Sequence, residues 1–336
     1  MNQTNDSNQE MLLSVNDLTT TFSAGKGQVV TVVNDVSFHV APGEVVAIVG
    51  ESGSGKSITS LSIMGLLKSG GEISDGTIYY KGEDILPLSK KKRRKLRGKE
   101  MAMIFQEPMS SLNPMQRVSK QIEESLALNT DLTRKERQLR AINLLQQVDI
   151  PDAEQVASRY PHQLSGGMRQ RVMIAIALAS SPKLLIADEP TTALDVTIQA
   201  QILALIKELN EAQETGVLFI THDLGVVADI ADRVLVMYAG RIVEEATVTE
   251  LFDHPKHPYT LGLLKAVPKL DEQKEWLDVI SGNAPDLARL PEGCPFHPRC
   301  PKATDACLKL PALEEQRPNH YVRCIHPISE EANNFA

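Results

Sequence analysis

The sequence predicts an α/β fold built around a mostly parallel β-sheet. Three apolar segments have the length and composition of fully buried strands, namely GEVVAIVG (43–50), KLLIADE (183–189) and GVLFITH (216–222). Segments with a helical spacing of apolar residues alternate with them. Continuous apolar strands that alternate with helices are typical of parallel sheets covered on both faces.

The N-terminal part predicts an antiparallel β subdomain ahead of this sheet. Two segments rich in β-branched residues, LLSVNDLTTTF (12–22) and VTVVNDVSFHV (30–40), are separated by the glycine-containing SAGKGQ. A helix is predicted to begin near Lys56 and to end at the glycines of residues 69–71. A further strand, MAMIFQ (101–106), follows.

A mostly helical block, about 108–180, interrupts the alternation and predicts an inserted helical subdomain. Within it, residues 118–150 are predicted to be helical. TRKE (133–136) matches a capping box, a Ser or Thr that caps a helix with Glu or Gln three positions later. The apolar residues that then recur at helical spacing are Leu139, Ile142, Leu145 and Val148.

The remaining elements complete the predicted domain organisation. The next helix is predicted to present one apolar face made of Ile198, Ile202, Leu205, Ile206 and Leu209. VLVMYAGRIVEEA (234–246) predicts a hairpin that turns at Ala239 and Gly240. Beyond about residue 251 prolines are frequent, and all four cysteines lie in this part of the chain. We therefore predict a main domain over 11–250, a Cys- and Pro-rich C-terminal extension over 251–328, and disordered tails at 1–10 and 329–336.

Composition limits the classes of protein that this chain can belong to. The chain has 336 residues, of which 42% are hydrophobic and 23% are charged, as in an ordinary globular protein. Its net charge of −8 argues against a broad nucleic-acid surface. The longest apolar run, VMIAIALA (172–179), is too short to span a bilayer, and the N-terminus lacks the pattern of a signal peptide. These observations predict a cytosolic chain without nucleic-acid partners.

One segment is strongly basic, in contrast to the net negative charge of the chain. KKKRRKLRGK (90–99) carries eight basic residues in ten. A solvated surface helix or loop is the favoured interpretation. Contact with anionic lipid headgroups is the second, and contact with nucleic acid is the third.

The segment GESGSGKS (50–57), the phosphate loop from here on, fits the pattern G-x-x-x-x-G-K-[ST] between a strand and a helix. Its glycines let backbone N–H groups surround phosphate oxygens, and the helix N-terminus adds partial positive charge. Lys56 is predicted to reach the β- and γ-phosphates of ATP and Ser57 to bind Mg²⁺. The predicted phosphate-binding residues are Gly50, Glu51, Ser52, Gly53, Ser54, Gly55, Lys56 and Ser57.

Two carboxylates end the predicted strand KLLIADE. Ligands bind α/β sheets at the carboxyl ends of the strands, which is where Asp188 and Glu189 are expected. Asp188 is predicted to bind Mg²⁺, and Glu189 to be the base for an attacking water. Two adjacent carboxylates at the end of a buried apolar strand cost desolvation free energy, so their presence there favours a functional role.

A second serine-glycine element lies more than a hundred residues further on. In LSGGMRQR (164–171), Ser165 is placed to cap a helix that Gly166 and Gly167 begin. A hydroxyl, bare backbone N–H groups and a helix dipole again predict an anion site. An ordinary capped helix would explain a bare S-G-G equally well.

Five motifs in this order resemble the ATP-binding-cassette (ABC) ATPases. They are GESGSGKS, LSGGMRQ (164–170), LLIADEP (184–190), ALD (193–195) and THD (221–223). The resemblance covers about residues 10–250 and implies an ABC-type P-loop ATPase core. It also implies that two cassettes face each other head to tail, so that the serine-glycine segment closes over ATP held by the partner. The segment's residues are Leu164, Ser165, Gly166, Gly167, Met168, Arg169 and Gln170.

The same resemblance implies roles for single residues. Gln106 corresponds to the glutamine that senses Mg²⁺ and water, and His222 to the histidine that contacts the γ-phosphate. Asp195 corresponds to an aspartate that contacts the opposite cassette. Phe22 is the candidate for the aromatic residue that stacks on adenine.

The C-terminal part resembles oligopeptide and dipeptide permease ATPases, through HPYTLGLL (257–264) and PEGCPFHPRCPKATDAC (291–307). This implies a peptide importer in which the chain lies peripherally on the cytoplasmic face of the membrane. The implied partners are two transmembrane permease subunits, an extracellular peptide-binding protein and a second, related ATPase, which favours a heterodimer over a homodimer. Nickel importers share much of the pattern and remain an alternative.

Two other classes fit less well. Soluble ABC ATPases of DNA repair carry long insertions between the two glycine-rich motifs, whereas Lys56 and Ser165 are only 109 positions apart (165 − 56), with no sustained heptads. A non-hydrolysing assembly module would not need Glu189 and His222.

The cysteines form a cluster in the sequence, at Cys294, Cys300, Cys307 and Cys324. A reducing cytosol disfavours disulfides, and the paired C-x₂₋₄-C spacing of structural Zn²⁺ sites is missing. Wide spacing, with proline after two of the four, favours a structural [4Fe–4S] cluster, which some peptide-permease ATPases that resemble this chain carry. Zinc and free thiols remain alternatives.

Overall fold

The computed structural model describes residues 11–25, 27–107, 111–192, 194–267 and 280–329. The strands are β1 (Leu13–Ser23), β2 (Val29–Val40), β3 (Val45–Val49), β4 (Gly71–Tyr80), β5 (Glu83–Asp84), β6 (Met101–Ile104), β7 (Leu184–Asp188), β8 (Gly216–Ile220), β9 (Arg233–Tyr238), β10 (Arg241–Thr247), β11 (Glu314–Arg317) and β12 (His320–Val322). The α-helices are α1 (Lys56–Met64), α2 (Lys90–Lys99), α3 (Val118–Asn129), α4 (Arg134–Gln147), α5 (Ala153–Ala157), α6 (Gly166–Leu178), α7 (Val196–Gln213), α8 (Leu224–Ile230), α9 (Val248–Asp253) and α10 (Pro258–Lys265).

The chain divides into two compact units, each made of several segments. The first comprises the described residues up to Leu13, Val40–Val45 and Tyr80–Ile220. The second comprises Ser14–His39, Val46–Tyr79 and the described residues from Thr221 onward. The tails predicted at 1–10 and 329–336 lie outside the described residues, except for position 329.

The first unit contains three parallel strands and a group of helices. β7 pairs in parallel with β6 on one side and with β8 on the other. All residues of β7 and β8 are buried, as expected for strands covered on both faces. Helices α3, α4 and α6 pack against one another, which confirms the predicted helical subdomain.

The second unit contains both parallel and antiparallel strands. β3 and β9 are parallel, with Val46 opposite Arg233 and Val49 opposite Val236. β1 lies between β2 and β4 in a separate sheet. The short connection between β1 and β2 requires these two strands to be antiparallel, because a parallel crossover needs a dozen or more residues. The predicted α/β fold with an antiparallel N-terminal sheet is confirmed.

Two local predictions differ from the structure. The first helix ends at Met64, because Gly65 takes a left-handed conformation (φ 61°) that caps the helix C-terminus. The capping box at Thr133 and Glu136 is confirmed. Of the predicted apolar residues, Leu145 and Val148 are buried, Ile142 is half-buried and Leu139 is 62% exposed, while Ala141 and Leu144 are also buried. The spacing therefore identified the buried face in part, and packing against α3 and α6 places Ala141 and Leu144 on that face in place of Leu139.

The predicted hairpin is present between β9 and β10. Ala239 and Gly240 have positive φ angles of 48° and 82°, the combination that a tight two-residue hairpin turn needs. A side chain at Gly240 would also place its Cβ 2.6 Å from the carbonyl oxygen of Val32. The close approach explains why glycine occupies this position.

The C-terminal region adds strands that the sequence analysis did not identify. β12 pairs antiparallel with β10, and β11 pairs antiparallel with β12. Glu244 of β10 is completely buried and accepts hydrogen bonds from the backbone N–H groups of Lys256 (2.6 Å) and His257 (2.8 Å). Its carboxylate also lies 2.7 Å from Nε2 of His320 in β12. These contacts attach the start and the end of the extension to one strand.

The basic run forms helix α2, which is interrupted by non-helical backbone angles at Arg97 and Gly98. None of its residues is buried, and Ser89 caps its N-terminus. These features agree with a solvated surface helix. Among the described residues, no helix is both long and apolar enough to cross a membrane.

Candidate functional site

The phosphate loop follows β3 and leads into α1, both of which belong to the second unit. Lys56 is only 5% exposed, and its Nζ donates to the carbonyl oxygens of Gly50 (2.7 Å) and Glu51 (3.0 Å). The loop therefore curls around the ammonium group. Ser52 and Gly53 at its tip are exposed, while Ser54 and Gly55 are buried.

Two glycines of the loop are required by sterics. A Cβ at Gly50 would lie 2.1 Å from the carbonyl oxygen of Met237, and a Cβ at Gly55 would lie 2.8 Å from that of Val32. Both residues also have positive φ angles. The close contacts and the backbone conformation exclude side chains at these positions.

Glu51 has partners that the sequence analysis missed. Its backbone N–H donates to the hydroxyl of Tyr259, at 2.8 Å. Its carboxylate forms an ion pair with Arg299, at 2.6 Å. These partners lie 208 and 248 residues away in the sequence, so that no local motif could have indicated them.

The predicted carboxylates lie at the end of β7 in the first unit. Asp188 is 4% exposed. Oε2 of Glu189 accepts from Nε2 of Gln106 (3.1 Å) and from the hydroxyl of Thr192 (3.0 Å). The structure thus brings together Gln106 and Glu189, and adds Thr192, which the sequence analysis did not identify.

Glu189 has an unusual backbone conformation. Its φ angle is 46°, in the left-handed region that residues other than glycine rarely adopt. Its N–H donates to the carbonyl oxygen of Ile220 in β8, at 2.9 Å, which holds the conformation. Such strain costs about 1–3 kcal/mol and clusters at functional sites. The hydrogen bonds on both backbone and side chain fix the direction of this carboxylate.

The serine-glycine segment begins α6 as predicted. The Ser165 hydroxyl accepts from the N–H of Met168 at 3.3 Å, and Ser165 and Gly166 are exposed. Gly167, Met168 and Arg169 are half-buried. The exposed N-terminus of α6 is therefore open to an anion from outside the chain.

Two residues of this segment face the interior instead. Leu164 is 4% exposed, and Gln170 is fully buried, with Nε2 donating to the carbonyl oxygen of Pro190 at 2.7 Å. This bond joins α6 to the residue that follows Glu189. The two buried side chains therefore hold the segment in place.

The residues predicted by resemblance alone occupy varied positions. His222 is exposed just after β8. Asp195 caps α7 by accepting from the N–H of Ile198 at 3.0 Å, and Ala193 of the same motif lies outside the described residues. Phe22 is half-buried, and its ring packs against Gly71. A Cβ added at Gly71 would lie 2.6 Å from the Phe22 ring.

Comparison with known proteins identifies the family. The chain is 54% identical over 316 residues to the oligopeptide transport ATP-binding protein AppD of Bacillus subtilis, covering 94% of this chain and 96% of AppD. It is 50% identical over 321 residues to the oligopeptide transport ATP-binding protein OppD of Escherichia coli, covering 96% of this chain and 95% of OppD. The chain belongs to the ABC transporter family.

Further comparisons describe both parts of this ABC protein. The family model for ABC transporters matches residues 33–192, and the model for the C-terminal region of oligopeptide/dipeptide transporters matches residues 243–307. The ATP-binding cassette MJ0796, solved as a dimer in a post-hydrolysis state with ADP and Pi, superposes with a TM-score of 0.65 at 30% identity. That likeness covers 70% of this chain and 98% of MJ0796. The chain thus has the ABC cassette fold and belongs to a family of ATPases.

The four cysteines of the ABC protein are free thiols that line one small cavity together with His257, Phe296 and other residues. Burial raises the pKa of the Cys294 and Cys300 thiols, and burial with neighbouring thiols raises that of Cys324 to about 12. Among the described residues, however, no group of three or more His, Cys, Asp or Glu is placed to hold a metal ion. The predicted [4Fe–4S] cluster and the alternative zinc site are therefore not supported by this arrangement.

Proposed function

We propose that this chain is the ATP-binding and ATP-hydrolysing subunit of a membrane importer for oligopeptides or dipeptides. The observation that carries the proposal is the 54% identity to an oligopeptide transport ATP-binding protein, since it extends over 94% of the chain and includes the C-terminal region. This extent matters because the cassette motifs alone are common to ABC proteins with many cargoes.

The site residues suggest a division of roles within ATP hydrolysis. Lys56 and the N–H groups of the phosphate loop bind the β- and γ-phosphates. Ser57, Asp188 and Gln106 offer hydroxyl, carboxylate and amide oxygens, which are the ligand types that Mg²⁺ prefers. The bound Mg²⁺ would neutralise charge on the phosphates. Glu189 accepts the proton of the attacking water, Gln106 helps to orient that water, and His222 contacts the γ-phosphate.

The exposed N-terminus of α6 supports a second part of the proposal. We infer that Ser165 and Gly166 bind the γ-phosphate of ATP held by a second cassette, in a head-to-tail pair with a related ATPase. Asp195 would contact the opposite cassette, and Phe22 would stack on adenine. Closure of this pair would drive two membrane permease subunits, which receive cargo from an extracellular peptide-binding protein. The chain would then lie peripherally on the cytoplasmic face of the membrane.

Purification of the chain with its membrane partners tests this function. In the reconstituted complex with its binding protein, a peptide mixture is expected to stimulate ATP hydrolysis and peptide uptake together. Ni²⁺ with the same complex serves as the matched cargo control. Stimulation by Ni²⁺ but not by any peptide would show that the cargo is nickel and not a peptide. Absence of ATP hydrolysis in the intact complex would contradict the proposal that the chain is an ATPase.

We further propose, from the ligand type and the sequence spacing, that the four cysteines hold a structural [4Fe–4S] cluster, although the described residues are not placed to hold a metal ion. Thiols are the ligand type for such clusters, and all four face one cavity. Bound there, the cluster would cross-link a proline-rich segment. Metal binding requires deprotonated thiols, so that cluster binding would release their protons.

Anaerobically purified protein is expected to be brown, with about four irons per chain. Replacing Cys300 by Ser should remove both colour and iron, because one of four ligands is lost. Elemental analysis for iron and zinc, with thiol titration, checks the result. Zinc at one ion per chain would favour the alternative metal, and four titratable thiols without metal would favour free cysteines.

A further inference from the structure

The phosphate loop is held from outside at its second residue. Glu51 is bound at three points: its N–H by Tyr259, its carboxylate by Arg299, and its carbonyl oxygen by Lys56 of the loop itself. Side chain and backbone of this residue are thus both fixed. Since Tyr259 and Arg299 belong to the C-terminal region, that region takes part in shaping the loop.

The geometry of the Arg299–Glu51 ion pair favours a strong interaction. Nη1 and Nη2 of Arg299 each bind a different carboxylate oxygen of Glu51, at 2.6 and 3.0 Å. The Arg299 side chain is only 6% exposed, and that of Glu51 is 29% exposed. A bidentate pair of this kind, largely removed from water, is stronger and more directional than a surface ion pair. The hydrogen bonds to Glu51 also hold the pKa of Arg299 above its usual range.

Arg299 is itself fixed by several further contacts. Its Nε donates to the carbonyl oxygen of Ser281 at 2.9 Å, and Nη2 to that of Ile280 at 3.3 Å. Its guanidinium lies 5.9 Å from the ring centres of both Tyr238 and Phe296. With this many partners, the Arg299 side chain is held in place independently of Glu51. Arg299 can therefore position the Glu51 carboxylate.

Tyr259 is also held by several contacts. It is completely buried, and its ring packs against those of Tyr238 (4.6 Å) and Phe296 (5.4 Å). Its hydroxyl is the acceptor for the Glu51 N–H, so that this amide is engaged by the protein. Phe296 and Arg299 lie between Cys294 and Cys300 in the sequence. The same short segment thus carries two of the four cysteines, the ring that packs against Tyr259, and Arg299, which binds Glu51.

We propose that Arg299 and Tyr259 are positioning residues for nucleotide binding, which act by holding Glu51 and so preorganise the phosphate loop. The loop contains three glycines, and the conformational freedom of such a segment must be lost when a nucleotide binds. Contacts that restrict the free loop lower this cost. The inference rests on the proposed ATP-binding function and extends the nucleotide site to the cysteine-bearing region.

The test measures ATP binding to the full-length chain by equilibrium titration with a fluorescent ATP analogue. Arg299→Gln is expected to raise Kd about fivefold to tenfold, and Glu51→Gln to have a similar effect. The double variant should be no weaker than either single one, since both substitutions remove the same contact. In the assembled transporter, KM for ATP should rise while kcat at saturating ATP stays near the parental value, because the chemistry does not involve Arg299.

Arg317→Gln is the matched control. Arg317, in strand β11 of the same C-terminal region, forms an ion pair with Glu250 at 3.1 Å. This variant should keep the parental Kd. Thermal melting of each variant shows whether a weaker affinity results from unfolding of the chain or from loss of the contact that positions Glu51. If Arg299→Gln does not fold, Tyr259→Phe, which removes only the hydroxyl, should still raise Kd about threefold or more.

An unchanged Kd in a folded Arg299→Gln or Tyr259→Phe variant would overturn the inference. So would a double variant whose loss equals the product of the two single losses, because the two residues would then act independently. Failure of the proposed function has a different result: the parental chain itself would not bind the analogue, and Lys56→Ala would make no difference.

Discussion

Replacing Glu189 by Gln is expected to leave ATP binding intact and to slow hydrolysis by about 10²-fold or more. Gln has nearly the same shape and keeps an oxygen that can accept from Gln106 and Thr192, but it cannot take a proton from water. The left-handed backbone conformation should persist, since it is fixed through the Glu189 N–H. Phosphate release by the reconstituted transporter and equilibrium nucleotide binding measure the two effects.

Glu211→Gln provides a matched control, because Glu211 is an exposed residue of α7 with the same chemistry. It should hydrolyse ATP at the parental rate. Hydrolysis by Glu189→Gln at that rate would show that another group is the base.

Ser165→Arg and Lys56→Ala are expected to separate two nucleotide contacts. Lys56→Ala removes the ammonium group of the chain's own phosphate loop, and should weaken ATP binding to the isolated chain by about tenfold to a hundredfold. Ser165→Arg should leave that affinity nearly unchanged, because Ser165 is proposed to face the partner's ATP. In the assembled transporter, it should nevertheless abolish most hydrolysis, since it places bulk where a phosphate must bind.

Ser165→Thr separates the effect of bulk and charge from that of the cap. Thr retains a hydroxyl that can accept from the N–H of Met168, so that α6 keeps its N-cap. This variant should retain most of the activity. A loss of affinity in isolated Ser165→Arg as large as that of Lys56→Ala would contradict the trans arrangement.

Local patterns predicted much of this molecule from the sequence. The apolar strands, the Ala239–Gly240 turn and the capping box at Thr133 depend on residues that are close together in the chain. The phosphate loop and the carboxylates after β7 have fixed positions relative to a strand and a helix. Such features require no knowledge of distant contacts, and the structure places them where their motifs predict.

Long-range packing determines what the sequence could not predict. Strand β11 has the sequence EEQR, which is poor in residues that favour strands, and it forms because β12 provides a partner. The roles of Tyr259 and Arg299 depend on contacts across more than 200 residues. Leu139 has the right spacing for a buried face but is exposed, because neighbouring helices cover a different side of α4. The positive φ of Glu189 likewise follows from its contact with β8.

The pairing of β12 with β10 also affects where the chain can be cut. If the chain ended near residue 250, β10 would keep β9 but lose β12, and its other edge around Glu244 and Glu245 would be left without a partner strand, which favours edge-to-edge association. Buried Glu244 would at the same time lose the amides of Lys256 and His257 and the imidazole of His320. In the full chain, the outermost strand is instead β11, whose exposed Glu314 and Glu315 discourage further strand addition. The extension therefore provides the partners of Glu244 and ends this side of the sheet in a charged strand that disfavours edge-to-edge pairing.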